Sequence, residues 1–155
     1  MAYSIKSFMK GAGADLNRVL NREIFLYLLD LEVRRSRRYQ NFFCILVLKL
    51  KEVPDQNNGN KLQACYQKLT HLLAEEARDS DVLGTLGEKR LAIILPYADM
   101  SSGSYTRTRF ESSLQDYDFT REGYQVEVEQ VCFPGDGADT PGLVRKVIGP
   151  ETTNF

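Results

Sequence analysis

The sequence has little of the chemistry that marks metal, membrane or nucleic-acid proteins. It contains one histidine, His71, no tryptophan, and three cysteines that never form a Cys-x-x-Cys pair. A zinc site needs several closely spaced thiolate or imidazole ligands, so we expect none. No apolar run approaches the about 20 residues of a membrane-spanning helix. The formal net charge is −1, so no overall positive field favours DNA, RNA or an anionic membrane.

The cysteines bear on the cellular compartment. Cys44 and Cys132 fall in apolar, strand-like runs, and all three cysteines are widely spaced. We predict that Cys44 and Cys132 are buried free thiols, which suits a reducing compartment, and that Cys44 reacts slowly with thiol reagents. Residues 1–13 have no continuous apolar core, so they do not resemble a secretory signal. The sequence therefore predicts a cytoplasmic protein.

The remaining composition is that of an ordinary globular domain. The chain has 155 residues, of which 43% are hydrophobic and 26% charged. That length suffices for one domain with one core. Glycines among small residues predict a loose lead-in over residues 1–15. We expect residues 16–155 to form a single domain.

Hydrophobic periodicity predicts alternating helices and strands. Residues 42–50 are almost wholly apolar, which is typical of a strand buried on both faces. We expect this strand to be the most buried, flanked by the two strands of a later hairpin. The other expected elements are helices over 16–38, 62–77, 105–114 and 143–147, hairpin strands over 82–86 and 91–95, and a strand over 124–133.

The hairpin has a charged tip between two apolar strands. Its turn reads Gly87-Glu88-Lys89-Arg90, in which Gly87 can take a positive φ. Pro96 ends the second strand because proline cannot donate to the ladder. By itself this pattern predicts only a central hairpin.

The same stretch resembles the signature hairpin of GGDEF domains, the family that contains diguanylate cyclases. Arg78 and Asp81 form an Arg-x-x-Asp pair, and five residues separate Asp81 from Gly87, as in the family. The segment Asn21-Arg22-Glu23-Ile24-Phe25 is similar to the family's opening Asn-Arg-Arg-x-Phe motif. The resemblance implies an α/β (α+β) fold with a palm-like βαββαβ core. Its central sheet would be mostly antiparallel and flanked by helices.

The residues on which catalysis depends in the family differ in this sequence. The resemblance places Lys49 and Arg90 where the family has carboxylates that hold Mg²⁺, and Glu88 and Lys89 replace the second glycine and the acidic residue of the tip. Mg²⁺ requires oxygen ligands, so we expect neither metal nor cofactor binding and no synthesis of cyclic di-GMP. The resemblance places Asn57 or Asn58 near a family position that binds guanine, but no Gly-Asp pair follows here, so we predict no guanine contact from either residue.

The Arg-x-x-Asp pair implies a different role. In active family members this pair binds the product, cyclic di-GMP, so the resemblance implies a catalytically inactive receptor that binds the dinucleotide through Arg78 and Asp81. Arg107 or Arg109 on the following helix would supply a further guanidinium. A stacked ligand pair would let cyclic di-GMP bridge two copies of the chain, which allows a homodimer. The sequence does not identify the partner protein that reads the output.

Three alternatives remain open at this point. The domain could be a ligand-free protein-interaction or dimerisation module, or an enzyme with altered chemistry. Lys49, Lys89 and Arg90 could bind a bare phosphate without metal, or could simply be solvated. A basic cluster of Arg34, Arg35, Arg37 and Arg38 is either a phosphate or partner patch or the solvated end of a helix, where cations complement the helix dipole.

Overall fold

The computed structural model describes residues 18–54 and 61–149. The lead-in expected for residues 1–15, and also Asn57 and Asn58, lie outside the described residues. The elements in chain order are β1 (Val19–Leu20), α1 (Arg22–Tyr39), β2 (Phe43–Glu52), α2 (Lys61–Glu76), β3 (Val82–Gly87), β4 (Arg90–Pro96), α3 (Met100–Leu114), a 3₁₀ turn (Thr120–Glu122), β5 (Tyr124–Phe133) and α4 (Thr140–Ile148).

The strands form one five-stranded sheet in the order β1-β3-β4-β2-β5. Among the described strands, the pairing of β1 with β3 is parallel and the other three pairings are antiparallel. This confirms the α/β fold with a mostly antiparallel sheet. Strand β2 lies between β4 and β5, so the expectation that both hairpin strands flank it is wrong. Hairpin strand β3 instead pairs with β4 on one side and with β1 on the other.

The two faces of the sheet are covered by different pairs of helices. Side chains of β2 alternate between the faces: Phe43, Ile45 and Val47 pack with α1 and α4, whereas Cys44, Leu46 and Leu48 pack with α2 and α3. All six are completely buried. A strand covered on both faces has no polar side, which is why its sequence is a continuous apolar run.

The chain begins its first helix later than the periodicity predicts. Val19 and Leu20 form β1, in register with Leu83 and Gly84 of β3, instead of the helix expected from residue 16. Helix α1 starts at Arg22 because the Asn21 side chain accepts a hydrogen bond from the Ile24 amide at 2.9 Å. Asparagine at this position accepts a hydrogen bond from a first-turn amide that has no acceptor within the helix.

Two other helices are longer than predicted, for the same reason. Asp99 accepts from the Ser102 amide at 2.8 Å, so α3 begins at Met100. Asp139 accepts from the Gly142 amide at 2.8 Å, so α4 begins at Thr140. The expected hairpin is present, and the φ of Gly87 is +155°. Over the described residues, no helix combines the length and apolarity that a bilayer crossing demands.

The prediction of free thiols at Cys44 and Cys132 is wrong. The two residues stand directly opposite each other on β2 and β5, and they form a disulfide with 4.1 Å between their Cα atoms. Cys65 is a free, buried cysteine. The pair is separated by 88 residues, so sequence alone does not reveal it; the register of two strands does. A disulfide between these two cysteines gives no support for a reducing compartment.

We expect the oxidised protein, unfolded without reductant, to expose a single free thiol, that of Cys65, from its three cysteines. Reduction should lower the free energy of unfolding by about 2–4 kcal/mol, because the opened chain gains conformational entropy when it unfolds. Thiol titration and urea unfolding measure the two effects. Cys65→Ala should respond to reductant as wild type does, whereas Cys44→Ala/Cys132→Ala should not respond. Three free thiols in the unreduced protein would contradict the disulfide.

Candidate functional site

Two cations stand opposite each other at the tip end of the hairpin. Lys49 of β2 and Arg90 of β4 are Cα partners in the antiparallel register. By strand alternation both side chains lie on the face that α1 and α4 cover. The structure therefore brings together the two positions at which the family resemblance places metal ligands.

Arg90 is buried, with 8% of its surface exposed. Its Nη1 donates to the carbonyl of Val147 at 2.8 Å and also to the carbonyl of Ile148. These carbonyls belong to the last turn of α4, where the helix dipole favours a cation. Burial lowers the pKa of Arg90, and nearby Glu129 opposes that shift. Arg90 thus fastens the carboxyl end of α4 to the sheet.

The residue after α4 is adapted to this contact. Gly149 has a φ of +78°, and a Cβ placed on it would lie 2.8 Å from Nη1 of Arg90. Any other residue would therefore be strained in its backbone and would press on the guanidinium.

The lysines near Arg90 pair with carboxylates. Lys49 Nζ lies 2.9 Å from Glu129 and 3.9 Å from Glu127, both on β5. At the tip, Lys89 Nζ contacts Glu52 at 2.8 Å, and this hydrogen bond raises the pKa of Lys89. These cations are already partnered within the chain, which leaves less of their charge for a bare phosphate.

The donor set at these positions does not fit Mg²⁺. The ion takes oxygen ligands, usually carboxylates, and the facing side chains are the cations of Lys49 and Arg90. The carboxylates of Glu127 and Glu129, which lie beside Lys49, are paired with lysines. Within residues 18–54 and 61–149, no three His, Cys, Asp or Glu side chains group to hold a metal.

We expect Arg90→Ala to lower the free energy of unfolding by about 2–3 kcal/mol, because it leaves two carbonyls of α4 without their charged donor. Arg90→Glu should cost more, since a carboxylate would face carbonyl oxygens and the negative end of the helix dipole. Lys89→Ala, which breaks an exposed ion pair at the same tip, is the control and should cost about 0.5 kcal/mol or less. Urea unfolding measures all three. Equal costs for Arg90→Ala and Lys89→Ala would contradict the role of Arg90.

A cavity lies at the opposite end of the hairpin, and we call it the Arg78 cavity. It has a volume of about 480 Å³. Three segments line it: Arg78, Ser80 and Asp81 before β3, residues 95–98 at the end of β4, and Ser101, Ser102, Tyr105 and Thr106 of α3. The structure thus brings the two residues of the Arg-x-x-Asp pair into one concave site.

Arg78 and Asp81 are linked through their backbone. The Asp81 carboxylate accepts from the Arg78 amide at 2.8 Å, and the Asp81 amide donates to the Arg78 carbonyl at 3.1 Å. This closed turn directs Asp81 into the cavity and leaves the Arg78 side chain exposed. Burial raises the pKa of Asp81, while the Arg78 amide and the charges of Arg78, Arg18 and Arg109 oppose the shift. A partly desolvated carboxylate gains from an additional hydrogen-bond donor.

The two arginines predicted on the following helix have other partners. Arg107 pairs with Glu111 at 3.5 Å, and Arg109 contacts the carboxylate of Glu76 at 3.5 Å. Neither lines the Arg78 cavity. Arg109 still acts on Asp81 through its charge, so it is the nearer of the two to the site.

Sequence reasoning did not find Tyr97 and Tyr105, which also line the cavity. They are 60% and 72% exposed. Tyr97 has a φ of +62°, which is uncommon for a residue other than glycine. The guanidinium of Arg35 lies 4.7 Å from the centre of its ring and donates to its hydroxyl. No spacing in the sequence joins Arg35 to Tyr97; the only local signal is a tyrosine directly after a strand-ending proline.

Most of the basic cluster at the end of α1 serves local structure. Arg34 pairs with Asp30 at 3.0 Å, and Arg37 donates to the carbonyl of Ala138 at 2.9 Å. Arg35 joins Glu32 and Tyr97. These contacts favour a structured helix end over a general phosphate patch.

A second cavity of about 440 Å³ lies between α2 and the hairpin, lined by Leu62, Gln63, Tyr66, Thr85, Gly87 and Glu88. Burial raises the pKa of the Tyr66 phenol. The Glu88 carboxylate at this cavity would repel a phosphate.

Solved structures share this arrangement of sheet and helices. A DGC protein from Thermotoga maritima is 18% identical, with a TM-score of 0.71 over 86% of this chain and 95% of that one. The coiled coil and GGDEF domain of DgcB from Caulobacter crescentus, in complex with c-di-GMP, is 15% identical, with a TM-score of 0.69 over 83% and 72%. The active GGEEF domain of a diguanylate cyclase from Vibrio cholerae is 12% identical, with a TM-score of 0.67 over 83% of each chain.

The fold is therefore the α/β fold of GGDEF domains. Residues 15–133 match the family described as "Diguanylate cyclase, GGDEF domain", so the chain belongs to the GGDEF family of cyclic di-GMP signalling. A search of curated proteins gave no significant match.

Proposed function

We propose that this GGDEF domain is a non-catalytic receptor for cyclic di-GMP and binds it in the Arg78 cavity. The observation that carries the proposal is a contrast between the two ends of the hairpin. At the tip, Lys49 and Arg90 replace metal ligands and are engaged within the chain. At the base, Arg78 and Asp81 share an open cavity.

Loss of synthesis follows from the charges at the tip. Joining two GTP molecules places negative charge on phosphoryl groups, which the family neutralises with Mg²⁺ held by carboxylates. Two cations in place of those carboxylates repel the metal. Arg90 cannot replace the ion, because its guanidinium is directed at the carbonyls of α4.

We expect no cyclic di-GMP above the blank when the protein is incubated with GTP and Mg²⁺ or Mn²⁺. The missing carboxylate ligands are the reason, and chromatography of the nucleotides is the measurement. An active GGDEF domain assayed in parallel is the positive control. Product that disappears when Lys49 or Arg90 is changed would show that this pair supports catalysis after all.

The Arg78 cavity suits a guanine dinucleotide. A guanidinium can donate two hydrogen bonds to guanine O6 and N7, or can pair with a phosphate. A carboxylate can accept from the N–H edge of guanine, and Asp81 is desolvated enough to benefit. The crystallised DgcB domain of Caulobacter crescentus holds c-di-GMP, which supports the ligand class.

We expect calorimetry with cyclic di-GMP to give binding by wild type and weaker binding by Arg78→Ala and Asp81→Asn. Asp81→Asn is the sharper change, because an amide can still accept from the Arg78 amide but brings no negative charge to the guanine edge. A single charged hydrogen bond is worth about 1.5–3 kcal/mol, or roughly 10- to 150-fold in affinity.

Arg107→Ala is the matched control, since Arg107 is an exposed arginine of α3 outside the cavity. Arg109→Ala should weaken binding modestly through its charge on Asp81. No heat from wild type at high micromolar ligand, or equal affinity in wild type, Arg78→Ala and Asp81→Asn, would rule out the receptor.

One observation favours a ligand-free interaction module as the second candidate. Ile24, Tyr27 and Leu31 follow helical spacing on α1 and are 46%, 62% and 41% exposed. Such a stripe on an outer helix face suits a protein contact. This candidate would stand if the calorimetry showed no binding.

A further inference from the structure

We propose that Tyr97 and Tyr105 form a tyrosine clamp that stacks the purine bases of a ligand at the rim of the Arg78 cavity. This inference rests on the proposed receptor function and adds the residues that would select a purine. Both rings line the cavity that holds Arg78 and Asp81. They are 60% and 72% exposed, so a flat ring can reach them.

Tyr97 is held in place before any ligand arrives. Its φ of +62° sets the left-handed conformation, which is costly for a side chain this large. Arg35 lies 4.7 Å from the ring centre and donates to the phenol oxygen. Arg35 is itself fixed by Glu32, whose hydrogen bond raises the pKa of Arg35. A ring ordered in advance loses little entropy when it stacks on a base.

The left-handed backbone conformation of Tyr97 indicates that this residue has a role in ligand binding as well as in the fold. Strained residues persist where the surrounding structure enforces them, and they cluster at ligand sites. Here the enforcing contacts are those of Arg35, and they cover one face of the ring. Tyr97 is still 60% exposed, so part of its ring remains accessible to a base.

Tyr105 rises from the first turns of α3, the helix whose Ser101 and Ser102 also line the cavity. The Ser101 hydroxyl can donate to a phosphate oxygen, alongside the guanidinium of Arg78, whereas the Ser102 side chain is hydrogen-bonded to Asp99. The cavity therefore offers aromatic faces for two bases, a carboxylate for a guanine edge and donors for the phosphates.

This arrangement defines a class of ligand. Every base has a π-face, but stacking increases with ring area, so two tyrosines favour purines over pyrimidines. Asp81 then favours guanine, which presents N–H donors at its Watson–Crick edge, over a purine without them. A guanine dinucleotide satisfies all of these contacts in one molecule.

The test compares wild type with tyrosine variants in titrations of cyclic di-GMP, 5′-GMP and 5′-CMP. Tyr97→Ala and Tyr105→Ala should each weaken purine binding by about 5- to 150-fold, the range measured for one stacked base. Tyr105→Phe keeps the ring and should bind within about twofold of wild type. Tyr97→Phe keeps the ring but loses the hydrogen bond from Arg35, so it should weaken binding less than Tyr97→Ala does. Binding of 5′-CMP should be weaker than that of 5′-GMP.

Tyr39→Ala is the control. Tyr39 is 62% exposed and has Arg38 at 5.6 Å from its ring, so it resembles the Tyr97–Arg35 pair, but it does not line the cavity. Its removal should leave affinity unchanged. Tyr97→Gly guards against misfolding, because glycine accepts a φ of +62° without strain. Its melting temperature should be at or above that of Tyr97→Ala, while its binding is weakened equally.

Each outcome decides between the two proposals. If Arg78→Ala loses cyclic di-GMP while Tyr97→Ala and Tyr105→Ala bind like wild type, the clamp is overturned and the receptor stands. The clamp is also overturned if the phenylalanine variants lose as much affinity as the alanine variants. Tyrosine-dependent binding of 5′-GMP without binding of cyclic di-GMP supports the clamp and overturns the receptor. No binding of any purine overturns both.

Discussion

Strand β2 is paired along its length with β5 and over most of its length with β4, and both its faces are buried beneath helices. This double pairing fixes the register of the sheet, because a shift of one residue would exchange every side chain between the two cores. The register in turn sets Cys44 against Cys132 and Lys49 against Arg90. The positions of the disulfide and of the hairpin tip both follow from β2.

Lys49 and Arg90 occupy the positions where the family resemblance places metal ligands, and both have structural contacts within the chain. Two carboxylates facing each other repel, and a divalent cation makes the arrangement stable. Two cations also repel, and here each is stabilised by a different group: Lys49 by Glu129, and Arg90 by the last carbonyls of α4. Arg90 thus links the hairpin to the carboxyl end of a helix. A glutamate at this position would lack that link, because a carboxylate cannot donate to the carbonyls of α4.

Local patterns predicted much of this fold, since an apolar run, alternation or helical spacing is a property of neighbouring residues. Strands β2 and β5, helix α2 and the hairpin were predictable in this way. The short β1 was not, because Val19 and Leu20 continue the apolar spacing of the helix and only pairing with β3 makes them a strand.

The disulfide and the contact of Arg90 with α4 join residues 88 and 57 positions apart. At the site, a motif predicted Arg78 and Asp81, whereas Tyr97 required the three-dimensional arrangement.

The geometry of an antiparallel hairpin separates the two ends that matter for function. Gly87 and Arg90 pair at the tip, whereas Val82 pairs with Ile94 near the base. At about 3.3 Å per residue, the five-residue span from Val82 to Gly87 places the ends roughly 16 Å apart. Charges exposed to solvent and separated by more than about 8–10 Å are largely screened at physiological salt. The exposed charges of Lys89 and Glu52 at the tip therefore perturb Asp81 little, and the chemistry proposed for the Arg78 cavity does not depend on them.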